Sequence, residues 1–155
     1  MNPRYGEAFY GLGQAYEATG RDRLALDAYL DALSVQPTLG KAQARAGALY
    51  FERKDYAAAE AYLKRATDLL PGEKDSFYYL GEIYRMQGQC NASVKMFNKA
   101  LALDPNFLDA KDGLRRVKSE VCKSGSRQQA PKQTKRYEKT SDFTGGGKAL
   151  TPDEW

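Results

Sequence analysis

The chain has 155 residues, 42% hydrophobic and 28% charged, and its 24 Lys and Arg against 20 Asp and Glu give a formal net charge of +4. No apolar run approaches the length of a bilayer span, and the absence of histidine removes the commonest general base and the commonest metal ligand. The two cysteines form neither a metal-binding motif nor a disulfide framework. We therefore expect no membrane span, no metal or other cofactor, and a reducing, most simply cytoplasmic, location.

Proline, glycine and charged pairs divide residues 1–122 into seven predicted helices. Four prolines are each predicted to open the first helix of a pair, because proline fits a first turn and breaks a helix interior. Gly20, the Lys54-Asp55 pair and Gly88 separate the two helices within a pair. The predicted helices span 3–19, 22–36, 38–53, 55–70, 72–87, 90–103 and 106–122.

The first three helix pairs repeat one pattern at a period of 34 residues, as the spacing of Gly13, Gly47 and Gly81 shows. A glycine inside a helix costs about 1 kcal/mol, so we expect each one where the second helix of the pair approaches closely. A period of this length is typical of helix-turn-helix solenoids. The recurring positions hold Leu12, Gly13, Tyr16, Ala25, Tyr29, Ala32 and Pro37; then Ala46, Gly47, Tyr50, Ala59, Leu63, Ala66 and Pro71; then Leu80, Gly81, Tyr84, Ser93, Phe97, Ala100 and Pro105.

This series of large, small, aromatic, small, aromatic, alanine and proline positions resembles the tetratricopeptide repeat (TPR) family. The resemblance implies an all-α, right-handed superhelical solenoid of three helix-turn-helix hairpins, at about 6–39, 40–73 and 74–107. A C-terminal capping helix at 106–122 and an irregular tail at 123–155 follow. Three repeats suffice for stability, because each hairpin covers the apolar face that its neighbour leaves open.

Several positions depart from the repeat. Gln43 stands where the other repeats have Phe9 and Phe77, so we expect a less tightly filled junction there. Ser93 replaces a small buried residue, which argues against Asn91-Ala92-Ser93 as a glycosylation site. The remaining expectations are a buried thiol at Cys90, a partly exposed thiol at Cys122, and a cap helix that buries Leu108, Leu114, Val117 and Val121.

The two ends of the chain suggest further expectations. Met1-Asn2-Pro3 occupies the place that Gln36-Pro37 occupies before the second repeat, so we expect a fragment of a longer array; the alternative is that Asn-Pro simply starts a helix well. Residues 123–155 hold seven Lys and Arg against four Asp and Glu, which leaves the repeats near +1 (4 − 3). Such a segment is typical of a flexible tail. Both a natural tail and a ligand peptide fused after Ser124-Gly125-Ser126 remain open.

The resemblance also implies a concave groove lined by the first helix of each pair. Rigid aromatic side chains there would supply binding energy; the alternative for Phe51 and Tyr79 is partial packing between adjacent first helices. The predicted groove residues are Glu7, Tyr10, Gln14, Glu17, Lys41, Arg45, Phe51, Asp75, Tyr78, Tyr79, Glu82 and Arg85. The predicted anchors of a tail that docks on the repeats are Tyr137, Phe143, Leu150 and Trp155.

These features favour a protein-protein interaction adaptor or scaffold that binds a protein or peptide partner, and no catalytic constellation is present. Relatives that grip the Glu-Glu-Val-Asp (EEVD) peptide of chaperones use a Lys/Asn, Asn and Lys/Arg clamp. Here those positions hold Tyr10, Gln14, Arg45, Asp75 and Tyr79, which argues against that ligand. The alternatives are a structural segment of a larger assembly, which self-associates through its tail or solenoid ends, and, less favoured, nucleic-acid contact through the basic tail.

Overall fold

The computed structural model describes residues 2–121, which contain seven α-helices and no strand. Every predicted helix is present. A π-helical turn, Val117–Val121, continues the last one. The helices are α1 (Pro3–Ala18), α2 (Asp22–Val35), α3 (Gly40–Glu52), α4 (Tyr56–Leu69), α5 (Lys74–Met86), α6 (Cys90–Leu103) and α7 (Leu108–Arg116).

Consecutive helices pack as hairpins, α1 with α2, α3 with α4 and α5 with α6, and α7 lies against α6. The first helices of successive hairpins also contact one another, α3 with α5 and α5 with α7. The predicted all-α repeat solenoid is therefore confirmed. Because the first helices of the hairpins are neighbours, they form one continuous layer, and every predicted groove residue lies on one of these helices.

The repeated glycines mark the close approaches within each hairpin. A Cβ atom built on Gly13 would lie 2.5 Å from Tyr29, one on Gly47 2.6 Å from Leu63, and one on Gly81 2.7 Å from Phe97. Side chains at these distances would overlap, so only glycine allows the two helices to pack with a large residue between them. The prediction that these glycines mark close helix contacts is confirmed.

The prolines between repeats lie in turns, so the prediction that they open helices is wrong except for Pro3 in α1. Each stands second in a four-residue turn closed by a backbone hydrogen bond: Leu39 N to Gln36 O at 3.1 Å, Glu73 N to Leu70 O at 3.2 Å, and Phe107 N to Asp104 O at 3.1 Å. Proline suits this position because its fixed φ matches the second residue of a β-turn. Helices α3, α5 and α7 consequently begin two residues later than predicted.

The cap helix docks through small residues. Leu108 is 70% exposed, which contradicts its predicted burial, whereas Ala110 and Val117 are fully buried. A Cβ on Gly113 would lie 2.5 Å from the Phe97 ring, so α7 approaches that ring as closely as α5 does at Gly81. Phe97 therefore fills the space between two glycines of different helices, and this contact fixes the rotation of the cap.

The other departures from the repeat have polar explanations. Gln43 is only 2% exposed; its Nε2 donates to Pro37 O at 3.0 Å, and its Oε1 has no partner among the described residues. Ser93 is fully buried, as predicted, and its hydroxyl donates to Gly81 O at 2.7 Å. Cys90 is half-buried rather than fully buried, because it lies at the edge of the third hairpin's core. Cys122 and the tail lie outside the described residues.

Candidate functional site

The predicted groove residues all lie on the first helices of the three hairpins, and two contacts join these helices. Glu17 of α1 meets Arg45 of α3, and Phe51 of α3 meets Tyr79 of α5. The three helices therefore present one surface. We call the surface predicted from these residues the groove; its predicted members are Glu7, Tyr10, Gln14 and Glu17 on α1, Lys41, Arg45 and Phe51 on α3, and Asp75, Tyr78, Tyr79, Glu82 and Arg85 on α5.

Aromatic rings pack against one another along the groove. The ring centroids of Phe51 and Tyr79 are 5.0 Å apart, those of Tyr78 and Tyr79 5.4 Å, and those of Tyr78 and Phe107 of the cap 5.4 Å. The three groove rings are half-buried. Burial raises the pKa of the Tyr78 and Tyr79 hydroxyls above the ordinary value. Phe51 and Tyr79 therefore do pack partly between adjacent first helices, and each ring remains partly exposed.

Tyr10 occupies the α1 end of the groove. Its ring centroid lies 5.6 Å from that of Tyr29, and its hydroxyl accepts a hydrogen bond of 3.2 Å from Gln14 Nε2. Burial raises the pKa of Tyr10 above its ordinary value; the charge of Arg45 opposes this rise, and the charge of Glu17 adds to it. The α1 aromatic is thus fixed by its neighbours in the same way as those of α5.

Glu17, Arg45 and Tyr29 form one hydrogen-bonded group between α1, α2 and α3. Arg45 donates from Nε to Glu17 Oε2 at 3.1 Å and from Nη2 to Oε1, while the Tyr29 hydroxyl donates to the same carboxylate. Burial alone would raise the pKa of Glu17, but the bonds from Arg45 and Tyr29 outweigh it and lower the pKa. A two-pronged pair of this kind has strong, directional bonds. The charge of Arg45 is therefore already satisfied within the chain.

The sequence pattern did not predict that Tyr29 belongs to this hydrogen-bonded group, because Tyr29 appears in it only as a core residue. Its repeat equivalents, Leu63 and Phe97, carry no polar atom. A buried tyrosine hydroxyl needs a hydrogen-bond partner, so the tyrosine at this position was the available signal for a polar group nearby.

Glu82 and Arg85, two further predicted groove residues, also pair with each other. Arg85 Nη2 lies 2.9 Å from Glu82 Oε2, one helical turn away on α5, and Glu82 is only 6% exposed. Burying a carboxylate without a partner is strongly unfavourable, and the arginine supplies that partner. This pair contributes little net charge to the groove.

Three charged groove residues are exposed and have no ion-pair partner among the described residues: Glu7, Lys41 and Asp75. Two acids that the sequence prediction omitted, Glu52 and Glu73, also lie near Tyr79, since their charges with that of Asp75 raise its pKa further. Burial raises the pKa of Glu73 itself, against a hydrogen bond from Ser76. The charge that remains after internal pairing is therefore mainly negative.

The predicted tail anchors Tyr137, Phe143, Leu150 and Trp155 lie outside the described residues. Between residues 2 and 121, no three His, Cys, Asp or Glu side chains are grouped so that they could hold a metal ion. Within the same range, no helix has both the length and the apolar character needed to cross a membrane.

Similar structures share the hairpin arrangement. The first TPR of Spaghetti (RPAP3), bound to the HSP90 peptide SRMEEVD, is 20% identical with a TM-score of 0.72; the match covers 79% of this chain and 97% of that one. The Arabidopsis OM64 TPR domain is 17% identical with a TM-score of 0.71, over 78% and 100%. A Thermobaculum terrenum O-GlcNAc transferase mutant is 26% identical with a TM-score of 0.66, over 74% of this chain and 22% of that one.

No curated protein matches the chain in sequence. Two family models, both described as tetratricopeptide repeat, match residues 6–39 and 50–117. These ranges cover most of the first hairpin, the end of α3, all of α4, the third hairpin and most of the cap. The matched ranges contain Gly13 and Gly81 with the aromatic residues that pack on them, whereas Gly47 lies between the two ranges. The chain therefore belongs to the tetratricopeptide repeat family.

Proposed function

We propose that the chain is a cytoplasmic adaptor that binds a peptide segment of a protein partner in its groove. The observation that carries this proposal is the row of half-buried aromatic rings, Tyr10, Phe51, Tyr78 and Tyr79, fixed by their neighbours on the first helices. Rigid aromatic residues supply binding energy at interfaces because little conformational entropy is lost on contact. The peptide-bound RPAP3 domain, similar in fold, supports this mode of binding.

The charges of the groove favour a ligand other than an acidic chaperone peptide. Glu17 accepts hydrogen bonds from Nε and Nη2 of Arg45, and so occupies the edge of the guanidinium that these two nitrogens form. Asp75 is exposed close by and would repel an anionic peptide. Charge complementarity determines specificity more than affinity, so these two acids should reject acidic termini rather than peptides in general.

Selection from a random twelve-residue peptide library displayed on phage, with the full chain immobilised, tests the proposal. We expect selected peptides to bind the full chain and to lose at least about tenfold in affinity to the Asp75→Lys variant, because reversal of an interfacial charge costs on the order of 1 kcal/mol or more. Asp68→Lys, an exposed change on α4, is the matched control and should bind normally. Selected peptides that bind both variants equally would contradict binding in the groove.

Exposed apolar residues at the α1 end support a second candidate, a structural segment that stacks end to end. Leu12 is 44% exposed, whereas its repeat equivalents Ala46 and Leu80 are 0% and 2% exposed, and Tyr5 nearby is 61% exposed. A mass that rises with concentration in light scattering, and that Leu12→Lys returns to the monomer value, would support stacking. A constant monomer mass up to about 1 mM would exclude associations with useful affinity.

A further inference from the structure

We propose that the groove binds this chain's own cationic segment, residues 132–143, in the absence of another partner. This inference rests on the proposed peptide-binding function and names the occupant. The segment has four cations against the acids Glu138 and Asp142, and two aromatic residues. These residues are Lys132, Lys135, Arg136 and Lys139, with Tyr137 and Phe143.

The exposed charges of the groove complement this segment. Glu7 on α1, Glu52 at the end of α3 and Asp75 at the start of α5 are exposed and have no ion-pair partner among the described residues. The exposed cations near this surface are Lys41 on α3 and Arg116 on α7, whose charge acts on Tyr78. The same acids surround the groove tyrosines: Glu7 acts on Tyr10, and Glu52 and Asp75 act on Tyr79. A peptide lying on these rings would therefore have carboxylates on several sides.

The internal ion pairs reinforce this preference. Arg45 and Arg85 are the arginines of the groove, and they are held by Glu17 and Glu82 respectively. An anionic peptide would have to share either one with the internal carboxylate already bonded to it. A cationic peptide meets no such requirement, because the exposed acids are already available to it.

The aromatic rings offer a second kind of contact to a cationic segment. Ammonium and guanidinium groups are attracted to the faces of tyrosine and phenylalanine rings. The groove margin already contains one example: Lys74 Nζ lies 4.6 Å from the centroid of the Phe107 ring. The half-buried rings of Tyr78 and Tyr79 can receive Lys or Arg side chains in the same way, with Tyr137 and Phe143 of the segment packing beside them.

The segment is within reach of the groove. The described chain ends at residue 121 beside α7, which contacts α5. A flexible chain of ten residues, the number that separates residue 121 from residue 132, would span about 18 Å. Neighbouring first helices are about 10 Å apart, so α5 and α3 are accessible. Tethering of this kind gives an effective concentration of about 1 mM, enough to fill a site of about 100 μM affinity to some 90%.

Zero-length carbodiimide cross-linking of the full chain tests the placement directly, because it joins lysines only to carboxylates in contact. At about 5 μM, where weak association between copies is negligible, the monomer should contain links from Lys132, Lys135 or Lys139 to the groove acids Glu7, Glu52 or Asp75. The internal control is the set of exposed acids on the second helices, Asp27, Asp31 and Asp68, which should remain unlinked. Equal linkage to both sets, no linkage to the groove acids, or links only between copies would overturn the proposal.

Competition in trans separates this inference from the proposed function. The probe is a fluorescent peptide of residues 130–143, added to the full chain and to a variant with Lys135→Glu, Arg136→Glu and Lys139→Glu. Loss of the competing tail should tighten peptide binding about tenfold, given an effective concentration near 1 mM. Adding Glu7→Lys and Asp75→Lys should abolish that binding, whereas adding Asp31→Lys and Asp68→Lys should leave it unchanged.

Each other outcome has a definite meaning. Equal binding of the peptide to the full chain and to the tail variant shows that the tail does not occupy the site and overturns the inference. Binding of the acidic peptide SRMEEVD, without binding of the cationic one, overturns the inference but leaves a peptide-binding groove intact. If neither these peptides nor any library peptide binds, the proposed function itself fails.

Discussion

A single buried residue, Gln43, sets the second repeat apart from its neighbours. Gln43 is buried at a position where the first and third repeats carry phenylalanine, and its Oε1 lacks a partner among the described residues. An unsatisfied buried acceptor loses the hydration that it has in the unfolded chain. The position therefore lowers stability through its chemistry rather than through its size.

Gln43→Leu should raise the free energy of unfolding by about 1 kcal/mol, because it removes the unpaired acceptor and adds apolar contact, at the expense of one bond to Pro37 O. Urea unfolding followed by circular dichroism measures the change. Gln14→Leu, at an exposed position on α1, is the control and should not raise the free energy of unfolding. A lower stability for Gln43→Leu would mean that the bond to Pro37 matters more than the unpaired oxygen.

Glu73 provides a pH-dependent test. Burial raises its pKa above the ordinary value of 4.5, so the folded state binds the proton more tightly than the unfolded chain does. The contribution of Glu73 to stability consequently falls as the pH rises from about 4.5 through the raised pKa. Glu73→Gln should be more stable than the native chain at pH 7, with an advantage that disappears below about pH 4.5. Urea unfolding midpoints measured between pH 3.5 and 7.5 test this prediction, with the exposed Glu7→Gln variant as the control. A stability advantage of Glu73→Gln that does not change with pH would contradict a titration effect.

At the scale of helices, glycine governs how closely the two members of a hairpin approach. The contacts of Gly13, Gly47 and Gly81 follow the repeat and were predictable from the sequence. Gly113 lies outside that frame, yet it makes the same kind of contact with Phe97. The sequence therefore predicted the hairpin contacts correctly, but it could not predict how the cap docks, because that depends on which face of α7 meets an existing ring.

Gly47→Ala and Gly11→Ala should change stability in opposite directions. A Cβ on Gly47 would lie 2.6 Å from the Leu63 side chain and 3.2 Å from the Leu63 backbone nitrogen, so the two helices of the hairpin must separate. We expect Gly47→Ala to lower the free energy of unfolding by about 1–3 kcal/mol. A Cβ on Gly11 would have no neighbour within 4 Å, so Gly11→Ala should raise the free energy of unfolding by up to about 1 kcal/mol through helix propensity. Thermal melting of both variants checks this, and equal melting temperatures would place the α3–α4 contact elsewhere.

At the scale of the whole molecule, three hairpins and a cap bring residues from distant parts of the sequence onto one aromatic, acidic surface. The chain carries a single tryptophan, Trp155, and the proposed docking of residues 132–143 would hold the following segment near the repeats. Leu150 and Trp155 then have apolar surface within reach.

Trp155 fluorescence reports on this docking. Emission from the native full chain should be blue-shifted relative to that of the chain in urea, because a docked indole is partly removed from water. The tail variant with Lys135→Glu, Arg136→Glu and Lys139→Glu should shift toward the exposed wavelength. A native spectrum already at the exposed wavelength would contradict docking of Trp155.

The sequence by itself determined the family and the number of hairpins, because each depends on a spacing that the chain repeats, and it nominated the groove residues, which stay a prediction. It did not determine how those residues are used. Glu17 and Arg45 are separated in sequence, and only packing of α1 on α3 brings them together. Packing of α2 on α1 adds the Tyr29 hydroxyl, and packing of α3 on α5 brings Glu52 near Tyr79. A repeat specifies which positions face the groove, whereas the pairing of charges across helices depends on distances between segments, which only the tertiary structure provides.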